Sequence, residues 1–220
     1  MDGHGASVGG AIVDSGRFDW TAHADKLPRL CANPDESYHG VTYTERFGLA
    51  GAFITKATAQ LMRDFGCTQS PQNAFLVNMG VGKPAPAHGA AQCQRACAGR
   101  ILGAASKVAW VRYPGLKGDA EYELSQKYLS HGASGVVSFG VAGGRAAAET
   151  FMKNLKLAQI ATHVADARTC VLHPANATHR QMNDAELAAA GITADLIRLS
   201  CGIEGTGDLV ADVEQALAAV

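Results

Sequence analysis

The sequence predicts an α/β protein, because strand-like apolar runs and helical stretches alternate in its second half. Short apolar runs of the kind found in buried strands occur at residues 108–111, 135–141 and 196–200. Stretches with helical periodicity separate these runs, and a pair of glycines introduces the one at residues 145–154. Because strands and helices alternate along the chain, we expect helices packed against a sheet.

Length and charge exclude several classes of function. The chain has 220 residues, of which 47% are hydrophobic, so one large domain or two small ones can bury a core. The 19 Lys and Arg residues balance 20 Asp and Glu residues, and no basic stripe indicates nucleic-acid binding. Apolar stretches are interrupted well before eighteen residues, and the first residues lack the pattern of a signal peptide. We therefore expect a cytoplasmic protein that binds neither nucleic acid nor a membrane.

The first 80 residues predict one short strand and two helices. Residues 11–13 form an apolar run bounded by turn residues, which favours a strand. The segment 47–65 repeats apolar residues every three or four positions, which predicts a helix that Gly66 ends. Ser70 followed by Pro71 is a typical helix start. The apolar face of the first helix is expected in the core and consists of Phe47, Ala50, Ile54, Ala57, Leu61 and Phe65.

The last 65 residues predict further elements of both kinds. Residues 157–164 are a strand candidate. Asn183 and Glu186 have the spacing of a capping box, which predicts a helix from there onward. Residues 208–220 place apolar side chains on one helical face, and such a stripe usually faces a core.

A lone arginine, Arg198, interrupts the apolar run at residues 196–200. The apolar pair Val171-Leu172 ends at His173-Pro174, because proline removes the next donor of a strand ladder. Polar side chains are therefore expected at that strand end. A buried guanidinium needs an anion, which can be a carboxylate of the protein or the carboxylate of a small substrate held by the bidentate fork.

Histidines and cysteines offer two further kinds of site. His173 and His179 can act as an acid/base pair, since imidazole titrates near neutrality, or they can serve the structure of the turn. The six cysteines are scattered in a chain without a secretion signal, which favours reduced thiols. Their spacings match no common zinc motif, so we expect no metal site. The combinations that come closest to a ligand set are His88 with Cys93 and Cys97, and Cys170 with His173 and His179.

Three motifs in the last fifty residues carry a family resemblance: HPANATH at 173–179, DLIRLSCGIE at 195–204 and DLVADVEQAL at 208–217. Together they resemble the C-terminal part of the Cys/Met-metabolism enzymes that use pyridoxal phosphate, and most closely the O-acetylhomoserine sulfhydrylases. The resemblance implies the C-terminal part of a fold-type I pyridoxal-phosphate-dependent transferase. On this basis, residues 1–80 correspond to a remnant of the cofactor-binding large domain and residues 105–220 to the C-terminal α/β domain.

The same resemblance implies roles for particular residues. In the family, the arginine of the RLS strand grips the substrate's α-carboxylate, which implies this role for Arg198. By the same resemblance, His163 occupies the place where sister enzymes have a substrate-facing serine or asparagine, which implies a substrate contact for His163. The segment GHG to IVDSG follows the family's Schiff-base lysine, so that lysine is expected upstream of Met1, and no other catalytic residue is assigned. The implied reaction, a step of methionine and homocysteine synthesis, replaces the acetoxy group of O-acetylhomoserine with sulfide or a thiol, in enzymes that form homo-oligomers.

Residues 81–104 interrupt the resemblance. Family members have a long connecting helix there, whereas this segment contains two prolines and four glycines. Each interior proline costs a helix about 3 kcal/mol and each glycine about 1 kcal/mol. Reading the degenerate codons one nucleotide later admits an amphipathic peptide that resembles the missing helix. We therefore hypothesise two compensating nucleotide shifts, near Gly80 and near Ala104. His88, Cys93 and Cys97 would then result from the shifted reading frame.

The resemblance implies an O-acetylhomoserine aminocarboxypropyltransferase. Because no Schiff-base lysine is assigned in this sequence, we expect the polypeptide alone to be inactive. Two alternatives remain open at the level of the sequence. The chain can be a non-catalytic module that associates with an intact paralogue, or it can be a metal-binding protein that uses its Cys and His residues.

Overall fold

The computed structural model describes residues 3–82, 97, 99, 106–130 and 132–220. The chain divides into two compact units, one made of Met1–Ser7 with Leu76–Val220 and the other of Val8–Phe75. The segment 81–104, with the nucleotide shifts hypothesised for it, falls almost entirely outside the described residues. Among the helices that are described, none has both the length and the apolar character needed to cross a bilayer.

The unit Val8–Phe75 is helical and has a small aromatic core. Tyr43, Leu30 and Ala52 are buried in it, and four partly buried side chains pack around them. Its helices are α1 (Pro28–Cys31), α2 (Tyr43–Lys56), a π-helical continuation (Ala57–Met62), α3 (Arg63–Phe65) and the start of α4 (Pro71–Gly82), with 3-10 turns at Thr21–His23 and Glu36–Tyr38.

Both predicted helix signals in this unit are confirmed. The helical run ends at Gly66, whose φ of 67° is the left-handed conformation that glycine adopts without a steric penalty. Ser70 Oγ accepts a hydrogen bond from the backbone N–H of Asn73 at 3.2 Å, as expected where α4 begins at Pro71.

Two expectations for this unit are wrong. Residues 11–13 form no strand, because none of the described strands pairs with them, and 91% of Val13 is exposed. The apolar face of the helical run was expected in the core, yet Ile54, Leu61 and Phe65 are exposed. Helical periodicity therefore predicted the helix correctly but not the exposure of its apolar face.

The larger unit is built on a five-stranded mixed sheet with the order β1-β2-β5-β4-β3. Neighbouring strands are antiparallel except for the edge pair of β3 and β4, which is parallel. The strands are β1 (Val108–Arg112), β2 (Val136–Val141), β3 (Gln159–Ile160), β4 (Cys170–Leu172) and β5 (Leu196–Ser200). The strand candidate at 157–164 forms only β3, because the chain leaves the sheet after Ala161 N donates to Val171 O.

Helices alternate with these strands, as the sequence predicts for an α/β protein. They are α5 (Tyr122–Tyr128), α6 (Gly144–Asn154), α7 (Asp184–Ala189) and α8 (Thr206–Ala218), and a 3-10 turn lies at Pro174–Asn176. The capping box is confirmed: Asn183 Oδ1 accepts from Glu186 N at 3.0 Å, and Glu186 Oε2 accepts from Asn183 N at 2.8 Å.

The main core lies between one face of the sheet and helices α6 and α8. Phe139 of β2 meets Phe151 of α6 edge to face, with ring centroids 5.6 Å apart. Burying a side chain of this size contributes about 1.5–3 kcal/mol. Leu209 and Val213 of α8 are buried in the same cluster, which confirms the predicted core stripe. This packed face leaves the opposite face of the sheet to carry the polar residues of β5.

Candidate functional site

Arg198 lies in the middle of the central strand, paired in register with Ser138 on β2 and Leu172 on β4. Its neighbours Ile197 and Leu199 are fully buried in the helix-covered core. Because successive side chains of a strand point to opposite faces, Arg198 projects from the face that α6 and α8 do not cover. There its side chain is half-buried, which is less burial than the sequence suggested.

The guanidinium of Arg198 is held by two backbone carbonyls. Its Nη2 donates to Thr162 O at 2.9 Å and to His163 O at 3.4 Å. Its Nε is buried and has no hydrogen-bond partner among the described residues. Among the ion pairs of the described residues, none joins Arg198 to a carboxylate. Of the two anions considered for this arginine, the protein carboxylate is therefore not found in the part of the chain that the structure describes.

The loop of residues 161–169 crosses the sheet face that carries Arg198. Ala165 N donates to Ser200 Oγ at 3.0 Å, which ties the loop to the end of β5. Ala165 has a φ of 59°, a left-handed conformation that costs an alanine roughly 1–2 kcal/mol. Beside this turn, Asp166 Oδ2 lies 3.3 Å from His163 Nδ1.

Asp166 is a buried carboxylate bound by Arg168 on the same loop. Its Oδ1 accepts from Arg168 N and Nε at 2.9 and 3.2 Å, and its Oδ2 accepts from Nη2 at 3.1 Å. The hydrogen bond from the Arg168 side chain is the main cause that lowers the pKa of Asp166 to about 2, although burial acts in the opposite direction. Asp166 and Arg168 therefore form an ion pair within the loop.

His163 lies beside this ion pair, and its backbone carbonyl accepts a hydrogen bond from Arg198. Its ring is exposed, and Nδ1 is 3.3 Å from Asp166 Oδ2. Gly5 packs directly against the ring, since a Cβ added there would lie 2.6 Å from the imidazole. Gly3 O accepts a hydrogen bond from Ala167 N at 2.6 Å. The structure thus brings His163 next to Arg198 and the glycine-rich first residues, while its contact with a substrate stays a prediction.

The two histidines of the HPANATH motif have separate partners. His173 is buried, with Nε2 2.8 Å from Ala194 O, and His179 Nδ1 is 2.9 Å from Thr178 Oγ1. These contacts support the structural interpretation of the motif over an acid/base pair.

The metal-ligand combinations drawn from the sequence find no support in the described residues. Cys170 forms a potential ligand group with His163 and Asp166, and not with His173 and His179. His88 and Cys93 lie outside the described residues. Burial, and secondarily the negative charge of Asp166, raises the pKa of the Cys170 thiol. Sequence reasoning missed this group, because the turn at Ala165 that assembles it has no signal in the sequence.

Lysine side chains in the described residues are engaged elsewhere or lie on the surface. Lys56 Nζ donates to Asp35 Oδ2 at 3.0 Å, and Lys107 Nζ donates to Val220 O at 2.9 Å. Lys83 lies outside the described residues. The other lysines are exposed, namely Lys26, Lys117, Lys127, Lys153 and Lys156. Within the described part of the chain, no lysine amine is bonded near Arg198.

Known proteins resemble this chain in sequence over nearly its whole length. The family model described as Cys/Met metabolism PLP-dependent enzyme matches residues 1–218. Homocysteine synthase of Schizosaccharomyces pombe is 41% identical over 219 residues, which are 99% of this chain and 50% of that protein. O-acetyl-L-homoserine sulfhydrylase 1 of Thermus thermophilus is 39% identical and is matched over 99% of this chain and 51% of its own length. The chain thus spans about half the length of these curated relatives.

A solved structure extends the similarity to the fold. The crystal structure of an O-acetylhomoserine (thiol)-lyase from Campylobacter jejuni, which contains a pyridoxyl-lysine phosphate, aligns with a TM-score of 0.81 at 30% identity. The alignment covers 99% of this chain and 51% of that one. The predicted fold class and the resemblance drawn from the sequence motifs are therefore confirmed.

Proposed function

This chain belongs to the Cys/Met metabolism PLP-dependent enzyme family, and we propose that it supplies the substrate-carboxylate site of an O-acetylhomoserine sulfhydrylase. The reaction of that enzyme replaces the acetoxy group of O-acetylhomoserine with sulfide or a thiol. The substrate is a small amino acid, so the site must hold an α-carboxylate in a fixed position. We assign that task to Arg198.

The observation that supports this proposal is the incomplete bonding of the Arg198 guanidinium. One nitrogen, Nη2, is fixed by Thr162 O and His163 O, while the buried Nε has no partner in the part of the chain that the structure describes. Leaving a buried donor unsatisfied costs about 1–3 kcal/mol. A carboxylate would satisfy that donor and neutralise the cation, and its two oxygens fit the planar fork of a guanidinium. The carbonyl contacts orient the fork before the ligand arrives.

His163 is the second substrate contact in this proposal. It follows Thr162 on the loop that anchors Arg198, and its exposed ring is accessible to a ligand. Asp166 accepts from Nδ1 when that nitrogen is protonated, which directs the other ring nitrogen away from the carboxylate. His163 therefore positions the substrate rather than transferring a proton in our assignment.

Pyridoxal phosphate, when bound in this family, supplies an electron sink for a carbanion formed next to the substrate carboxylate. The described residues do not fit its attachment, because attachment needs a lysine amine and the described lysines are exposed or bonded elsewhere. We therefore assign no step of the chemistry to residues of this chain. We propose that the required lysine lies outside this sequence and that the chain alone is inactive.

We further propose that the protein works in the cytoplasm as part of a homo-oligomer, without nucleic acid or a membrane as partner. The balanced charge of 19 basic and 20 acidic residues supports this assignment, since nucleic-acid and anionic-membrane binding usually require a basic surface. Size-exclusion chromatography with light scattering tests the oligomeric state.

Calorimetric titration with O-acetyl-L-homoserine tests the carboxylate site, with the carboxamide of the same compound as the matched ligand. We expect the carboxylate to bind and the carboxamide to bind at least tenfold more weakly, because the charge-assisted bond contributes about 1.5–3 kcal/mol. Arg198→Met should abolish the difference between the two ligands, and Arg198→Lys should restore part of it. Equal affinity for both ligands would contradict the proposal.

An activity assay tests the proposed dependence on an outside lysine. The purified chain, supplied with pyridoxal phosphate, O-acetylhomoserine and sulfide, should form no homocysteine and no imine absorbance band. Homocysteine formation by the chain alone would overturn this part of the proposal without affecting the carboxylate site.

A non-catalytic module that associates with an intact paralogue is the second candidate function. The exposure of large apolar side chains in the helical unit favours it: Val13, Phe65 and Phe75 are 91%, 77% and 57% exposed. Surfaces of this kind commonly mark protein interfaces. Co-purification of the tagged chain with a full-length paralogue, weakened by Phe65→Ser, would favour this candidate.

A further inference from the structure

Three side chains of different chemistry converge at one end of the loop of residues 161–169. His163, Asp166 and Cys170 each offer one ligand atom, and these three atoms lie within 4.8 Å of one another. His163 Nδ1 and Asp166 Oδ2 are 3.3 Å apart. The proposed carboxylate site does not use the Cys170 thiol or the Asp166 carboxylate to contact a substrate.

The backbone accounts for this convergence. Cys170 is the first residue of β4, where pairing with Ser200 of β5 fixes its position. The left-handed turn at Ala165, with φ of 59°, returns the chain over Asp166 and brings His163 above it. Asp166 and Cys170 are buried, whereas 45% of the His163 side chain is exposed. The group is therefore accessible from solvent through the imidazole.

We propose that His163, Asp166 and Cys170 bind a divalent cation of the zinc class, with the fourth coordination position open to solvent. Imidazole nitrogen, carboxylate oxygen and thiolate sulfur are the ligands that zinc prefers in proteins. Metal–ligand bonds of about 2.0–2.3 Å in a tetrahedron place ligand atoms about 3.3–3.7 Å apart. The His163–Asp166 distance already meets this value, and the sulfur must move closer by at most about 1.5 Å.

Charge and proton balance are consistent with such a site. The thiol S–H bond of Cys170 breaks as the metal–sulfur bond forms, and the proton passes to solvent. The thiolate and Asp166 then contribute two negative charges that balance the divalent cation. His163 coordinates as the neutral imidazole through Nδ1, with its proton on Nε2. Arg168 keeps its bonds to Asp166 Oδ1, whereas the metal at Oδ2 displaces the bond from Arg168 Nη2. This competition and the positive charge of Arg168 make the site weaker than a structural zinc site.

Titration of the reduced, metal-free chain with Cd²⁺ tests this site. Cadmium bound by a thiolate gives an ultraviolet charge-transfer band, which reports the metal–sulfur bond directly. We expect one equivalent of Cd²⁺ to develop the band in the native chain and in the control Cys67→Ser, which removes an exposed thiol of the other unit. Cys170→Ser should abolish the band, and His163→Ala should weaken Cd²⁺ binding at least tenfold.

The outcomes separate this site from other thiols and from a folding defect. A band that persists in Cys170→Ser, or its absence from the native chain, would overturn the proposal. Circular dichroism checks that Cys170→Ser is folded; if it is not, the exposed His163→Ala variant decides, and unchanged Cd²⁺ affinity there also overturns the proposal. Since the titration contains no amino acid, its result is independent of the carboxylate site.

Discussion

Arg198 Nη2 donates to the carbonyl oxygen of Thr162 at 2.9 Å, and this bond joins the central strand of the sheet to the loop that crosses it. The bond uses a neutral acceptor, so it orients the guanidinium without neutralising its charge. An arginine that served only the fold would usually be paired with a carboxylate of the protein. The bond to Thr162 therefore accounts for the structural role of Arg198, while the positive charge of the guanidinium remains available to a ligand.

Replacing Arg198 with methionine should affect ligand binding far more than stability. The variant loses two hydrogen bonds to carbonyls but also removes a buried, unsatisfied Nε, and these effects oppose each other. We expect a change in the free energy of unfolding within about 1 kcal/mol, measured by urea denaturation. A loss above about 3 kcal/mol would make Arg198 a structural residue.

Ala165→Gly should stabilise the protein. Alanine at a φ of 59° is strained by roughly 1–2 kcal/mol, whereas glycine adopts this conformation freely but loses more chain entropy on folding. We expect a net gain of about 0.5–1 kcal/mol in urea denaturation. The matched control Ala167→Gly, two residues later and without a positive φ, should lose a similar amount. Destabilisation by Ala165→Gly would show that the turn differs from the one described.

Asp166→Asn should make the free energy of unfolding less dependent on pH in the acidic range. The pKa of Asp166 is lowered to about 2, chiefly by the hydrogen bond from the Arg168 side chain, from a value near 3.9 in unfolded chains. Between these pH values the unfolded state binds more protons, so stability present above about pH 4 is lost as the pH falls towards 2. Unfolding measured from pH 6 to 2 should show the native chain losing up to about 1.4 kcal/mol per pH unit more than the variant. Parallel curves would contradict this assignment.

Local patterns predicted the elements whose causes are local. The capping pair of Asn183 and Glu186 and the stop at Gly66 depend on a few neighbouring residues, and both occur as expected. The apolar run 196–200 predicted β5 because hydrophobicity marks a central strand on its own. The run 11–13 has similar composition but no strand to pair with, and pairing partners are not encoded locally.

The candidate site was only partly predictable for the same reason. The resemblance singled out Arg198 and His163, but it gave no indication that carbonyls of the loop would hold the guanidinium. The left-handed turn at Ala165 has no signal in the sequence, because positive φ is usually marked by glycine or asparagine. Without that turn, the proximity of Cys170 to His163 could not be foreseen.

Asp212→Ala should destabilise the larger unit substantially. Asp212 in α8 accepts hydrogen bonds from the backbone N–H groups of Lys156, Leu157 and Ala158, at 2.8, 2.9 and 2.9 Å. Burial alone would raise the pKa of Asp212, yet these three donors lower it overall.

The alanine variant leaves these donors without an acceptor ahead of β3, so we expect a loss of about 2–3 kcal/mol in the free energy of unfolding. Asp212→Asn keeps one side-chain oxygen as an acceptor and should lose about half as much. Equal stability of Asp212→Ala and the native chain, measured in urea, would show that water replaces the carboxylate at no cost.

The proton and nitrogen resonance of the Arg198 Nε–H group tests most directly whether Arg198 binds the substrate carboxylate. This donor is buried and has no partner within the described ranges, so a carboxylate that binds the guanidinium must change its chemical environment. Assigned by its loss in Arg198→Lys, the resonance should shift in proportion to bound O-acetyl-L-homoserine and stay in place when the carboxamide is added. A resonance that does not move with the carboxylate at saturating concentration would contradict the assignment of Arg198 to substrate binding.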